Sequence, residues 1–246
     1  MIVGYTRSGS TWLRFLLGEA LTGQELDFDP DAHPVQYIGR HRDAPSILPS
    51  GGRLIYSHET LPVGARPIIY VVRDPRSVAL SEYRWLVRRR LEPGALPVFV
   101  RQFVTGRSNP WGSWAAHVER WMASEAGRMD RLRLITFEEL HADTVGTTAK
   151  LLRFLGADVS DEVVRSAVEH SSIERMRTKE KAAPDSAFAK GVRRDVPYVN
   201  AGAVAGWKSE LTNDDVGAIE SAFGATMTRL GYELVSRSDQ QAATDT

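Results

Sequence analysis

Apolar residues recur along the chain in two patterns, short continuous runs and longer stretches with a helical period. The clearest short run lies within residues 66–72, and others lie at residues 1–5, 53–57 and 131–136. Continuous runs rich in β-branched residues are typical of strands in a parallel sheet that is covered on both faces. The sequence therefore predicts at least four strands.

The stretches between these runs have the spacing of helices. Residues 10–21 are apolar nearly all round, which indicates a buried helix. Asp74 and Pro75 favour the N-cap and the first position of a helix, so we expect one that extends to about Arg89. The proline-rich residues 22–52 predict a loop. Further helices are predicted at residues 96–105, 112–126, 144–155, 160–170 and 213–230.

Strands that alternate with helices predict an α/β fold with three layers, in which helices flank a central, mostly parallel sheet. We expect a single domain over residues 1–235 and a flexible tail at residues 236–246. Residues 179–206 are rich in Ala, Gly, Pro and charge and predict a mobile loop that acts as a lid. Ligands of such folds bind at the carboxyl ends of the strands, so functional residues are expected directly after strand ends.

Composition narrows the class of protein. The chain has 246 residues, of which 42% are apolar and 25% charged, as in a globular enzyme. The 31 basic residues balance the 31 acidic ones, so we expect no nucleic-acid partner and only a local anion site. The absence of cysteine excludes a thiolate nucleophile and fits a reducing compartment. No signal peptide and no apolar run of about 18 residues is found, which predicts a cytoplasmic protein without a membrane partner.

A Gly- and Ser-rich loop joins the first predicted strand to the first helix. Residues 4–11 follow the spacing G-x-x-x-x-G-K-[ST] of nucleotide phosphate loops, with Ser10 in place of the lysine. Backbone N–H groups of such a loop still form an anion site, and Arg7 can supply the missing cation. The loop predicts a P-loop-like fold. An ordinary turn that caps a helix is the competing interpretation, and the missing lysine weakens a nucleoside triphosphate interpretation.

A second candidate anion ligand follows the apolar run at residues 66–72. Arg73 is the first polar residue after that run, and Ser81 lies two turns into the next helix. A guanidinium can hold a phosphate by two parallel hydrogen bonds, and Ser81 would reach the same phosphate. The competing interpretation is an ion pair at the helix start, between Arg73 and Asp74 or a neighbour.

One histidine stands at the end of a predicted buried strand. Of the six histidines only His58 has that position. An imidazole there can accept a proton from a bound hydroxyl near neutral pH. Glu59 is the competing base, and a purely structural histidine is the alternative.

In this order, the loop, the histidine and the arginine resemble the cytosolic sulfotransferases that use 3′-phosphoadenosine-5′-phosphosulfate (PAPS). The resemblance covers about residues 1–212, and in its shortness the chain is similar to bacterial members of that family. Residues 5–12 resemble the family's 5′-phosphosulfate loop, Y-P-K-S-G-T-T-W, and residues 70–81 resemble its 3′-phosphate motif. His58 falls at the catalytic histidine of the family's K-T-H. Shorter matches follow at residues 135–140, 170–176 and 202–208.

The resemblance implies a role for each matching residue. His58 and Arg7 would act in catalysis, Arg73 and Ser81 would hold the 3′-phosphate, and Trp12 would stack on adenine. The 5′-phosphosulfate would be held by Arg7, Ser8, Gly9, Ser10 and Thr11. The remainder of the donor site would be formed by Phe137, Ser171, Ser172, Ile173, Met176 and Gly202. No metal is expected, because the arginines would neutralise the leaving group.

The chain departs from the family pattern at several positions. Arg7 replaces a lysine. Asn200-Ala201 stands where the family has the Arg-Lys pair that clamps the 3′-phosphate, and Arg193 and Arg194 on the predicted lid could substitute for it. The family's dimer motif is only partly present, so that dimer is not predicted and the oligomeric state stays open.

These observations predict transfer of a sulfuryl group from PAPS to a hydroxyl of a small acceptor, with His58 as the base. We expect a secondary metabolite as the acceptor, with a glycan as the alternative. Residues 23–52 and 84–114 would wall its pocket, and Arg88 to Arg90 could attract an acidic acceptor or form a solvated helix face. Nearby tryptophans could offer flat surfaces or belong to the core: Trp85, Trp111, Trp114 and Trp121. Two other functions stay open, a kinase or ATPase with Asp74 as its Mg²⁺ ligand and a non-catalytic nucleotide-binding module.

Overall fold

The computed structural model describes residues 1–62, 64, 66–183, 191–199 and 204–235. The predicted tail, residues 236–246, lies outside the described residues, as do parts of the predicted lid at residues 184–190 and 200–203. The expectations for Gly202 and for Asn200-Ala201 fall in that part of the chain.

Five strands form one sheet in which all neighbouring strands are parallel. In chain order they are β1 (Ile2–Val3), β2 (Gln36–Tyr37), β3 (Ile55–Ser57), β4 (Ile68–Val72) and β5 (Leu132–Thr136). Their order across the sheet is β2-β3-β1-β4-β5. Val3 of the central strand is in register with Ser57 of β3 and Tyr70 of β4, so β1 and β3 end level with each other and β4 extends two residues further. The prediction of a central, mostly parallel sheet is confirmed.

Helices cover both faces of this sheet. The described residues form α1 (Ser10–Thr22), α2 (Pro75–Arg88), α3 (Leu96–Val104), α4 (Trp114–Met122), α5 (Glu125–Arg128), α6 (Phe137–Ala142), α7 (Thr144–Phe154), α8 (Asp161–His170), α9 (Ile173–Ala182) and α10 (Asn213–Arg229). Short 3₁₀ turns lie at Ile38–Arg40 and Gly206–Ser209. None of the helices in the described ranges combines the length and apolar content that crossing a bilayer requires.

Side chains alternate along β4, and this alternation explains the three layers. Ile69 and Val71 pack in a cluster with residues of α1, α7 and α8. Ile68, Tyr70 and Val72 pack on the other face with residues of α2, α3, α4 and α10. Every residue of β4 is therefore buried, as its continuous apolar run predicted.

Several elements differ from the sequence-based expectation. β2 lies within the predicted loop at residues 22–52, because a strand of two residues leaves no periodic signal. The predicted helix at 112–126 is two helices, since the Ser124 hydroxyl accepts from Gly127 N–H and caps a new turn. The prediction of a loop from residue 179 onward was wrong at its start, where α9 continues to Ala182.

Helix α9 escaped sequence-based prediction because it is almost entirely polar. Only Met176 and Lys179 are buried in it. The ammonium group of Lys179 donates to the buried carboxylate of Glu19 in α1 at 2.9 Å. An ion pair with α1 thus fixes the position of α9. The helix has no periodic apolar pattern from which it could have been predicted.

Candidate active site

A cavity of about 660 Å³ lies at the carboxyl ends of β1, β3 and β4. The loop between β1 and α1 forms its floor. His58 follows β3, Arg73 follows β4 and Phe137 follows β5, and all three line the cavity. The edge of the sheet that binds ligands in parallel α/β folds thus carries the residues singled out in the sequence.

Residues 4–11 wrap around the N-terminus of α1. Arg7 and Gly9 have φ angles of 64° and 103°. Helix α1 begins after Gly9 without a side-chain cap, so its first N–H groups are left to bind an anion. The Ser8 hydroxyl is fully buried and has no hydrogen-bond partner among the described residues. The loop therefore has the geometry of an anion site.

Position 9 of this loop accepts only glycine. A Cβ atom there would lie 2.6 Å from Cδ2 of Phe137, and the φ of 103° strains any other residue. We expect Gly9→Ala to lower the free energy of unfolding by about 1–3 kcal/mol. Gly217→Ala is the matched control, because Gly217 lies in α10 with an ordinary φ and open space around its Cβ position. Denaturant unfolding would contradict this expectation if both variants were as stable as the wild type.

Arg7 projects from the loop into the cavity. Its Nε donates to Oγ of Ser81 at 3.1 Å, and Nη2 lies 3.5 Å from the carbonyl oxygen of Tyr198. The guanidinium carbon lies 4.6 Å from the ring centre of Tyr198 and 5.3 Å from that of Trp85. The cation is therefore held between two aromatic rings, which favour it electrostatically.

Arg73 supplies a second cation from the end of β4. Its guanidinium carbon lies 4.2 Å from the ring centre of Phe137. Burial lowers the pKa of Arg73, while the carboxylate of Glu138 opposes that shift. Ser81, on α2, lines the same cavity as Arg73, and its hydroxyl accepts the hydrogen bond from Arg7. The guanidinium groups of Arg7 and Arg73 and the hydroxyl of Ser81 thus line the same cavity.

Asp74 is not available as a metal ligand. Its carboxylate caps α2 and receives the Arg76 guanidinium at 2.7 Å, and Arg76 also pairs with Glu220 of α10 at 2.6 Å. Within the described part of the chain no three His, Asp or Glu side chains are grouped as a metal site requires. The ion pair at this helix start joins Asp74 to Arg76, and the Mg²⁺ role considered for Asp74 finds no support in this geometry.

His58 faces the cavity with a defined ring orientation. Its Nδ1 lies 2.8 Å from the carbonyl oxygen of Gly4. A carbonyl oxygen can only accept, so Nδ1 carries the proton and Nε2 keeps its lone pair. Burial lowers the pKa of His58, the charges of Arg7 and Arg14 lower it further, and the bond to Gly4 opposes them. The imidazole is therefore neutral at pH 7 and can accept a proton.

Glu59, the competing base, is engaged elsewhere. Its carboxylate accepts a short hydrogen bond from the hydroxyl of Tyr37, and it does not line the cavity. Of the two neighbours, only His58 lies in position to meet a bound hydroxyl.

One wall of the cavity is apolar. Trp12 lies there, and its indole N–H donates to the carbonyl oxygen of Ser171 at 2.9 Å. Its ring centre is 5.7 Å from that of Phe137, and Ile173 and Met176 complete the wall. The Ser171 hydroxyl is buried without a hydrogen-bond partner among the described residues. An apolar slot that contains a hydroxyl without a hydrogen-bond partner suits a flat ring that has polar atoms at its edge.

Most of the predicted site residues meet in this one cavity. The lining includes Arg7, Gly9, Ser10, Thr11, Trp12, His58, Arg73, Ser81, Phe137, Ser171, Ile173 and Met176. Ser8 is buried beneath the loop, and Ser172 is the N-cap of α9, where its hydroxyl accepts from Arg175 N–H. Sequence reasoning missed Thr6, although it lies within the phosphate loop, and it missed four residues outside any recognised motif: His141, Thr144, Tyr198 and Val199.

Tyr198 belongs to a segment that crosses the phosphate loop. Its hydroxyl lies 2.7 Å from Oγ1 of Thr11. The carboxylate of Glu180 accepts from Tyr198 N–H at 2.7 Å and from Val199 N–H at 2.8 Å. Arg88 pairs with that carboxylate at 3.1 Å and also donates to carbonyl oxygens of this segment. Arg88 is 3% exposed, so the prediction of a solvated face at Arg88 to Arg90 was wrong for its first member.

The described residues 191–199 do not bring Arg193 into the site. Its guanidinium is exposed and pairs with Asp195 at 2.6 Å. Neither Arg193 nor Arg194 is among the residues that line the cavity. The substitution of these arginines for a 3′-phosphate clamp therefore finds no support in this geometry.

The four tryptophans considered for an acceptor pocket divide into two pairs. Trp85 and Trp111 line the cavity, and the Trp111 ring centre lies 6.1 Å from that of His58. Trp114 and Trp121 are fully buried in the core between the sheet and α10. Only the first pair can contact a molecule bound beside His58.

The chain resembles known proteins in sequence and in fold. Residues 52–231 match the sulfotransferase domain family. Sulfotransferase 2A1 of Rattus norvegicus is 27% identical over 74% of this chain and 66% of its own length. Sulfotransferase 1E1 of Homo sapiens is 31% identical over 59% of this chain and 49% of its own length. This chain thus spans about half to about two thirds of the length of these relatives.

A solved structure supports the fold assignment. Mouse sulfotransferase SULT7A1 complexed with PAP has a TM-score of 0.70, is 24% identical, and the match covers 100% of this chain and 88% of that one. The family match covers most of this chain, and it includes the strand ends that carry His58 and Arg73. By sequence and by fold, the chain belongs to the sulfotransferase domain family.

Proposed function

We propose that the protein transfers a sulfuryl group from PAPS to the hydroxyl of a small acceptor, with His58 as the base. The proposal rests on one observation. An imidazole nitrogen of His58 with a free lone pair faces the cavity that is also lined by the phosphate loop, Arg73 and Ser81. Family membership raises the expectation independently, since sulfotransferases are named for this reaction.

The residues present fit PAPS. Arg7, Arg73 and the amides at the start of α1 provide positive charge in the cavity, as a donor with phosphate groups requires. Trp12 and Phe137 offer flat apolar surface beside these groups. The buried hydroxyls of Ser8 and Ser171 are among the polar atoms without a hydrogen-bond partner in the described chain, and Ser171 lines the cavity, where a nucleotide could satisfy it.

Catalysis in this arrangement relies on position and charge. His58 Nε2 takes the proton of the acceptor hydroxyl as its oxygen bonds to sulfur. The bond between sulfur and the bridging oxygen breaks, and Arg7 and the loop amides stabilise the charge that the oxygen keeps. An in-line transfer of this kind needs little covalent chemistry from the protein, because the reactants are already aligned.

The acceptor would bind between Trp85 and Trp111, beside His58. Aromatic walls suit a small molecule with an apolar ring, and a secondary metabolite with a hydroxyl on such a ring fits the space. A glycan remains the second candidate, since saccharides also stack on tryptophan.

Calorimetric titration with the desulfated donor, 3′-phosphoadenosine-5′-phosphate (PAP), tests the donor site. We expect PAP to bind in metal-free buffer with at least tenfold higher affinity than AMP, because Arg73 and Ser81 would contact its 3′-phosphate. A preference for ATP that depends on Mg²⁺ would instead support a kinase or ATPase. PAP binding without PAP production from PAPS, across a phenol, a primary alcohol and a glucoside, would support a non-catalytic binding module.

A further inference from the structure

A second histidine, His117, contacts the main chain of His58 without lining the cavity. It lies in α4 and is 1% exposed. Its Nε2 lies 2.8 Å from the carbonyl oxygen of His58, and its Nδ1 lies 2.7 Å from the hydroxyl of Tyr70 in β4. Both ring nitrogens are therefore occupied, and His117 cannot itself exchange a proton with a bound molecule.

The hydrogen bonds define one protonation state for His117. The carbonyl oxygen of His58 can only accept, so Nε2 of His117 must carry a proton. Burial is the main cause that lowers the pKa of His117 to about 4, against the opposing effect of the hydrogen bond to the carbonyl oxygen of His58, so the ring is neutral. Nδ1 then accepts, and Tyr70 donates its hydroxyl proton. Burial raises the pKa of Tyr70 well above its usual range, which keeps that proton in place.

His58 lies just beyond the end of β3, where the sheet no longer holds the main chain. Two contacts hold it instead. Gly4, after β1, accepts from its ring, and His117, in α4, donates to its carbonyl oxygen. The ring and the main chain are thus fixed by different elements, and together they aim Nε2 into the cavity.

Packing reinforces this arrangement. The Tyr5 ring meets the His117 ring edge-on at 5.6 Å, and the Tyr5 hydroxyl donates to the carbonyl oxygen of Gly112 at 3.0 Å. Tyr5 lies in the phosphate loop that follows β1, so the same contacts tie α4 to the floor of the cavity. The orientation of His117 is therefore set from two sides, by Tyr70 and by Tyr5.

We propose that His117 is a positioning residue for the catalytic base: it fixes the main chain of His58 so that Nε2 meets the acceptor hydroxyl. The inference rests on the proposed function, since it assumes that His58 takes the proton. Proton transfer requires heavy atoms within about 3 Å, and a displacement of about 1 Å can cost about 10²-fold in rate. Loss of the carbonyl contact should therefore lower kcat more than it weakens donor binding.

Two amide variants separate this role from a purely structural one. In His117→Gln the amide nitrogen takes nearly the place of Nε2 and can still donate to His58. In His117→Asn the shorter side chain reaches Tyr70 only. We expect kcat to fall about 10²-fold in His117→Asn and less than about fivefold in His117→Gln, with the Kd for PAP nearly unchanged in both. His33→Gln is a control for the loss of another buried imidazole, because His33 takes no part in the hydrogen bonds between His58, His117 and Tyr70.

Ring-nitrogen NMR of the wild-type protein supplies a test that needs no acceptor and no variant of His117. The expected spectrum has His117 protonated at Nε2 and His58 protonated at Nδ1, with His58 assigned by its loss in His58→Ala. Protonation of His117 at Nδ1 alone would overturn the inference, because Nε2 could then not donate a hydrogen bond to the carbonyl oxygen of His58. Equal losses of kcat in His117→Gln and His117→Asn, or no loss in either, would overturn it as well.

The two proposals can fail separately. Absence of PAP binding, or full turnover by His58→Ala, would defeat the proposed function. Turnover by the wild type that disappears in His58→Ala but persists in His117→Asn would defeat only the role of His117.

Discussion

His58→Ala is expected to lower kcat by about 10²- to 10⁴-fold while the Kd for PAP changes less than about threefold. The variant removes the nitrogen that would accept the acceptor proton but leaves the phosphate loop and Arg73 in place. Steady-state kinetics with PAPS, together with calorimetric titration of PAP, would measure the two effects separately. Near-normal turnover by the variant would remove His58 as the base.

The same assignment fixes the direction of the pH dependence. His58 must be neutral to accept a proton, and burial together with the charges of Arg7 and Arg14 lowers its pKa below the ordinary 6.5. Activity should therefore be complete at neutral pH and should fall only as the pH drops through that lowered pKa. An acidic limb centred above pH 6.5 would contradict the environment that the structure gives His58.

Two variants serve as controls for this prediction. Glu59→Gln keeps the size of the competing base and its contact with Tyr37, and we expect a loss of less than about fivefold. His141→Ala removes another histidine that lines the same cavity, beside Trp12, and should affect donor affinity before kcat. A loss in Glu59→Gln as large as that in His58→Ala would point to the carboxylate instead.

The sequence alone locates the centre of this site because its chemistry follows strand ends. His58 and Arg73 each come directly after an apolar run, and parallel pairing brings such positions to one edge of the sheet. The phosphate loop is continuous in sequence and joins a strand to a helix. Local pattern and chain direction therefore suffice to predict that these residues meet.

The parts that escaped prediction depend on contacts between distant residues. Arg88 reads as one of three consecutive solvent-facing arginines, yet its pairing with Glu180 buries it and anchors the segment that carries Tyr198. Arg76 likewise has a second partner besides Asp74, the carboxylate of Glu220, which lies more than 140 residues away. A charged side chain reveals its partner only when the fold brings the two together, so no periodicity signals such contacts.

Arg7→Ala is expected to produce the second large loss, about 10²- to 10³-fold in kcat, because one cation aimed at developing charge is worth roughly 3–4 kcal/mol. The reason is its position. The loop projects the guanidinium between the rings of Trp85 and Tyr198, and Ser81 accepts from its Nε. A charge held in this way needs little rearrangement when the leaving oxygen becomes negative. If Arg7 bound the ground state and the transition state equally, KM for PAPS would rise and kcat would stay unchanged.

Arg7→Lys and Arg89→Ala make the prediction specific. Lysine restores the charge that the family loop carries at this position but loses the planar fork and its stacking, so we expect recovery to within about tenfold of the wild type. Arg89 lies 5.6 Å from the same Trp85 ring and is exposed outside the cavity, so Arg89→Ala tests whether a nearby positive charge is enough. Similar losses in Arg7→Ala and Arg89→Ala would mean that general electrostatic attraction of the donor, rather than a fixed guanidinium at the leaving oxygen, explains the effect. Loss in Arg7→Ala alone, with partial recovery in Arg7→Lys, would assign the charge stabilisation to this one side chain.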